Sequence, residues 1–122
     1  MIPTIWPRCA AFRRRWRRSV RGDIHRLRSD RQAKGREQRG VRLAVVVQSD
    51  HLPLSTVVVA PTSTAARSAD FRPEIVVDGT TTKVLVEQLA AVDLSRLGEL
   101  VGTVSPEERI AIDEALRDVL AV

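Results

Sequence analysis

GREQRGVRLAVVVQSD, residues 35–50, is the stretch on which the fold turns. Its first half is polar and flanked by glycines; its second half is unbroken aliphatic sequence rich in valine. VRLAVVVQS (41–49) is long enough for a central strand and too short for a typical helix. The polar half brings Glu37, Gln38 and Arg39 to the mouth of that strand, and Arg42 opens it. A carboxylate and several guanidinium groups are thereby placed on the rim of a rigid sheet.

Working outward, RGDIHRLR (21–28) reads as a short strand anchored by Ile24 and Leu27, with a polar loop after it. TVVVA (56–60) is a second buried strand, followed by a loop rich in Ser, Thr and Ala from Ala60 to Arg72. PEIVVD (73–78) is a third strand, with Pro73 confined to its start. The Asp78-Gly79 pair signals a turn within DGTTT, and KVLVEQL (83–89) is expected to pair back as the hairpin partner. AVDLSRLG predicts a short helical turn ended by Gly98, and ELVGTV (99–104) a last strand.

SPEERIAIDEALRDVLAV (105–122) is a helix. Ser105 is the N-cap, Pro106 stands at the first helical position, and Glu108 completes a capping box. Ile112, Ala115, Leu116, Val119 and Leu120 form one apolar stripe, expected to pack on the sheet. Five or six short strands with tight turns and one amphipathic C-terminal helix predict a mainly β fold, a compact, curled antiparallel barrel.

Composition agrees with one such domain. Aromatic residues make up 3% of the 122, so Val, Leu, Ile and Ala must build the core. Charge is distributed unevenly. Residues 1–20 hold six arginines and no acid, residues 21–50 eight basic and four acidic side chains, and residues 51–122 six basic and eleven acidic ones. The positive field therefore belongs to the first 50 residues, the footprint expected of a nucleic-acid partner. No run of eighteen apolar residues is present, so no membrane-spanning helix is expected, and the N-terminus lacks a signal-peptide core, which predicts a cytoplasmic protein. One cysteine, Cys9, excludes an internal disulfide or a multi-cysteine metal site. Residues 1–20, with Trp6, Phe12 and Trp16 among the arginines, read as a basic, disordered extension ahead of a domain spanning 21–122. The same residues would also serve as an arm that stacks on bases.

Taken in order, RGDI (21–24), GREQRGVR (35–42), AVVVQSD (44–50), TVVVAPTST (56–64), FRPEIVVDG (71–79), VLVEQLAAVDLSRLGELVG (84–102) and SPEERIAIDEAL (105–116) resemble the MazF/PemK/Kid family of toxin endoribonucleases. The resemblance implies an SH3-like barrel of the PemK/CcdB type and a homodimer. It implies metal-independent, sequence-specific cleavage of single-stranded RNA, including mRNA, and neutralisation by a cognate MazE-like antitoxin with a flexible acidic C-terminal segment. The chain departs from the family pattern in three places. Leu43 stands where proline is common, His25-Arg26 where the first strand is usually aromatic, and Thr62 follows Pro61 without the usual apolar spacer.

RNA is cut without a metal when its own 2′-OH attacks the phosphorus, leaving a 2′,3′-cyclic phosphate and a 5′-OH. A planar, permanently charged guanidinium suits the phosphorane. Arg42 is the residue expected there, with Thr62 or Ser63 positioning the phosphate through a hydroxyl. Glu37 is a candidate base, or an anchor for Arg39 or Arg42, and His25 a candidate proton carrier. Gln38, Arg39, Arg36 and Arg26 are expected to grip the RNA. His51, in a turn after Asp50, reads as structural. No spacing of metal ligands and no nucleotide-binding loop is present, so no cofactor is expected. The competing readings are a toxin on the same barrel that binds a protein target such as a DNA topoisomerase, and an RNA-binding regulator without activity.

Overall fold

The computed structural model describes residues 20–28, 42–52 and 54–122. The basic N-terminal stretch and the loop bearing Arg36, Glu37, Gln38 and Arg39 lie outside the described residues. Within them the order is β1 (Asp23–Leu27), β2 (Arg42–Val46), β3 (Thr56–Ser63), β4 (Glu74–Val77), β5 (Thr80–Val84), β6 (Ala90–Asp93), β7 (Leu97–Thr103) and α1 (Pro106–Leu120). Single 3-10 turns at Val86–Gln88 and Leu94–Arg96 flank β6. The strands run β4-β5-β3-β2-β1-β7 across one curled antiparallel sheet, and β6 pairs with the first half of β3.

The apolar run at β2 is the hinge of this arrangement because both of its faces are covered. Val45 and Val47 pack with Ile24, Ala60, Ile75, Val84 and Val104 in one cluster, and Ile112 of α1 closes it. Ala44 and Val46 face the other way, into a second cluster with Val57, Val59 and Val92, backed by Leu27, Leu94 and Leu97. The last backbone bond between the strands runs from the Val47 N–H to the Val58 carbonyl at 3.1 Å, and Gln48 then takes over with its side chain. Gln48 Oε1 accepts the Val58 N–H at 3.1 Å and Nε2 donates to the Leu52 carbonyl at 3.3 Å.

Several expectations need correction; residues 90–93 are strand and only Leu94–Arg96 a 3-10 turn, so Gly98 lies inside β7 rather than ending a helical turn. β3 does not stop at Ala60 but runs through Pro61 to Ser63, since its second half finds a partner in β5 at Thr62↔Val84 and Ser63↔Lys83. Pro61 fits because only its carbonyl is needed, accepting from the Leu85 N–H at 2.8 Å. The hairpin after β4 is tighter than expected. Asp78 (φ 50°) and Gly79 (φ 77°) form a two-residue turn of the primed type, so Thr80 already pairs with Val77. Residues 86–88 are accordingly a 3-10 turn rather than strand. The helix stripe is only half used: Ile112 and Ala115 are buried and Leu116 partly so, whereas Leu120 is 53% exposed.

Helix α1 begins as its sequence dictates. Ser105 Oγ accepts the Glu108 N–H at 3.1 Å, and Glu108 Oε1 accepts the Ser105 N–H at 2.8 Å. The second oxygen of Glu108 reaches the sheet and accepts the N–H of Val76 at 2.8 Å. Further along α1, Asp113 pairs with Arg21, which also donates to the Val47 carbonyl at 2.8 Å. Among the described residues, no helix is long and apolar enough to cross a membrane.

Candidate functional site

Where β2 and β3 end side by side, the sheet opens into a groove of about 430 Å³. Arg42, Leu43, Thr62, Ser63 and Arg26 line one part of it; Val77, Asp78, Thr80 and Thr82 of the β4–β5 hairpin line another. The register explains the meeting. Ala44 pairs with Pro61, so the next residues on each strand, Leu43 and Thr62, lie together, and Arg26 pairs with Leu43 from the other side.

Arg42 is partly buried, and its Nε has no hydrogen-bond partner among the described residues. A cationic donor held in that condition is poised for an anion, because an unsatisfied buried N–H costs about 1–3 kcal/mol. Arg26 is half exposed and makes a loose pair with Glu99, Nε to Oε2 3.3 Å. It thus keeps most of its charge toward solvent and the groove.

The two hydroxyls differ. Thr62 is buried and its Oγ1 donates to the Leu43 carbonyl at 3.1 Å, so its proton is committed to the sheet. Ser63 Oγ accepts two backbone N–H groups, from Ala65 at 3.2 Å and Ala66 at 3.1 Å, which leaves its own proton available to a ligand. Two amide donors on one oxygen also make that hydroxyl a better donor.

His25 is not part of this groove. It pairs with Ala44 on β1, facing the second core cluster, and is 2% exposed. Its Nδ1 lies 3.1 Å from the Gly98 carbonyl, to which it donates, while Nε2 is buried without a partner among the described residues. Its neighbour Arg26 points the other way, as strand alternation requires. Sequence alone does not tell which of two covered faces a strand residue takes. The structure thus brings together Arg42, Thr62, Ser63 and Arg26 and leaves His25 apart.

In the sequence, Asp78-Gly79 signals only a turn, and nothing local shows that Asp78 and the threonines of the hairpin reach the groove. Nor does the sequence show the clamp on the loop after Ser63. Arg72 Nη2 and Nε donate to Glu87 Oε2 at 2.7 and 3.0 Å, and Nη1 donates to the Arg67 carbonyl at 3.1 Å. The hydrogen bonds from Arg72 hold the Glu87 carboxyl below its ordinary range. Among the described residues, no three His, Cys, Asp or Glu side chains gather as a metal site would need.

The sequence profile of the PemK-like, MazF-like toxins of type II toxin–antitoxin systems matches residues 20–120. A Mycobacterium tuberculosis protein described as a "putative toxin" is 36% identical over 104 residues, covering 84% of this chain and 98% of its own. Among solved structures, an endoribonuclease from a mycobacterial species, in complex with its cognate antitoxin, superposes with a TM-score of 0.70 at 20% identity, over 84% of this chain and 95% of that one. A MazF from Deinococcus radiodurans gives 0.69 at 21% identity, over 84% and 96%.

Proposed function

Because this chain belongs to the PemK-like, MazF-like family of type II toxins, we propose that it is an endoribonuclease that cuts single-stranded RNA at short sequences and so inhibits translation. The observation that carries this is Arg42: a guanidinium whose buried Nε has no partner among the described residues, in a groove beside the Ser63 hydroxyl. A module that only bound protein would need neither.

In this reading Arg42 faces the scissile phosphate and stabilises the charge that builds on the phosphorane. Ser63 donates its proton to a non-bridging oxygen, and Thr62 holds the floor of the groove through Leu43. Arg26, with Arg36 and Arg39 of the preceding loop, follows the flanking phosphates. Gln38 contacts a base edge, and Glu37 anchors the loop guanidinium groups. The 2′-oxygen forms its bond to phosphorus as the bond to the 5′-oxygen breaks, giving a 2′,3′-cyclic phosphate and a 5′-OH. No metal is required, since the nucleophile belongs to the substrate and the guanidinium supplies the positive charge.

A homodimer would extend the groove across two copies. A cognate antitoxin with an acidic segment would occupy the same cationic surface, as RNA does. The test is incubation of the purified protein with single-stranded RNA in EDTA, beside Arg42→Ala. The wild type should leave 5′-OH ends, and the variant should be slower by about 10²–10³-fold while remaining folded. Equal rates would remove Arg42 from the mechanism, and an RNA left intact by the wild type would overturn the nuclease reading.

A further inference from the structure

Cleavage through the 2′-OH needs a group that takes its proton, and the groove itself limits the choice. Its ionisable lining among the described residues consists of Arg26 from β1, Arg42 from β2 and Asp78 from the β4–β5 turn. Guanidinium groups are protonated at every working pH and are acceptors at none. The hydroxyls of Thr62, Ser63, Thr64, Thr80 and Thr82 are far weaker bases than a carboxylate. His25 is 2% exposed and lines a different pocket, beside Leu97 and Gly98.

Resting on the nuclease reading above, we propose that Asp78 is the general base, a catalytic residue carried on the tip of the Asp78-Gly79 hairpin. Three observations support it. Asp78 is exposed, and among the described residues no hydrogen bond or ion pair engages it, so both its oxygens stand ready to accept. Its position is fixed: φ 50° at Asp78 and 77° at Gly79 lock a two-residue turn between paired strands, so the carboxylate sits on a rigid element rather than a loose loop. Finally, its charge requires an account. A carboxylate lining a groove that collects phosphates repels them, so binding alone does not explain it.

The step balances within the substrate and this side chain. The 2′-O–H proton passes to an Asp78 oxygen as the 2′-oxygen bonds to phosphorus. The 5′-oxygen leaves with a proton from water, and Asp78 returns its own proton to solvent afterwards. Arg42 and Arg26 line the same groove as the carboxylate.

Asp78→Asn tests this cleanly, because asparagine tolerates the positive φ of the turn and keeps the side chain's shape. Single-turnover cleavage is measured from pH 4 to 9, together with binding of a non-cleavable 2′-O-methyl oligonucleotide. The variant should lose at least about 10²-fold in kcat and the acid limb of the pH profile. Its affinity for the 2′-O-methyl oligonucleotide should be unchanged or higher. Retention of kcat within about threefold, or a loss confined to KM, overturns the assignment of Asp78 while the nuclease reading stands. The same loss in Glu37→Gln with an unaffected Asp78→Asn moves the base to Glu37. A wild type that cleaves no RNA overturns both readings together.

Discussion

At the scale of single residues, two neighbouring hydroxyls are distinguished by where their protons go. Thr62 spends its proton on the Leu43 carbonyl, and Ser63 keeps its own while two amides polarise its oxygen. Ser63→Ala should therefore lower kcat by about tenfold or more with little change in Tm. Thr62→Val should do the reverse, lowering stability by about 1 kcal/mol while sparing the rate, as paired melting curves and kinetics will show. His25 makes the same point for the core. Its ring fills space beside Ala44 and the Gly98 carbonyl, so His25→Ala should cost about 2–4 kcal/mol in denaturant titration. The fraction that folds should cleave RNA at the wild-type rate; a 10²-fold slower folded enzyme would restore His25 to the chemistry.

At the scale of elements, the helix and the hairpin were legible because their signals are local. Ser105, Pro106 and Glu108 announce a cap whatever the rest of the chain does, and Asp78-Gly79 announces a turn. Ser105→Ala should cost about 1 kcal/mol. What was not legible depends on partners distant in sequence. β3 reaches Ser63 because β5 waits beside it, and no local propensity at Pro61-Thr62-Ser63 foretells that. Arg42 could be picked out by its place at a strand mouth, but its lack of a partner could not. Asp78 escaped for the same reason, since the groove that gives it meaning is completed by residues as distant in sequence as Ser63, Arg42 and Arg26. The Arg72–Glu87 pair, linking the loop after β3 to the 3-10 turn after β5, is another such link. The depressed carboxyl of Glu87 favours the folded state above the ordinary carboxylate range and ceases to do so on acidification. Arg72→Met should therefore lower Tm at pH 7, and lower it by less once Glu87 is protonated, when only the bond to the Arg67 carbonyl is still lost.

At the scale of the whole molecule, the groove presents Arg26 and Arg42 with Asp78, while α1 carries five carboxylates against two guanidinium groups. Arg21 is absorbed by Asp113 and the Val47 carbonyl, which leaves Arg26 and Arg42 facing the groove. RNA affinity should consequently fall with salt, with a log–log slope of about −2 or steeper if three phosphates are met. Asp23 works against stability. Buried beside β7, where Thr103 donates to it at 3.1 Å, it has a carboxyl pushed above its ordinary range, chiefly by desolvation. The folded state therefore holds that proton more tightly than the unfolded one. The group is neutral in its effect at low pH and destabilising once pH exceeds its raised value. Asp23→Asn should raise Tm at pH 7, and the gain should vanish on acidification.

The link from Glu108 to Val76 has a consequence for solubility. β4 is an outer strand of the sheet, and Val76, 57% exposed, would offer an apolar side chain and a backbone donor to any strand that drew alongside. The Glu108 carboxylate takes that donor and sets a negative charge beside it, one of the ways a sheet margin is kept from templating aggregation. A protein stored at high concentration as Glu108→Ala should form oligomers and then fibrils sooner than the wild type, even at temperatures where both are fully folded.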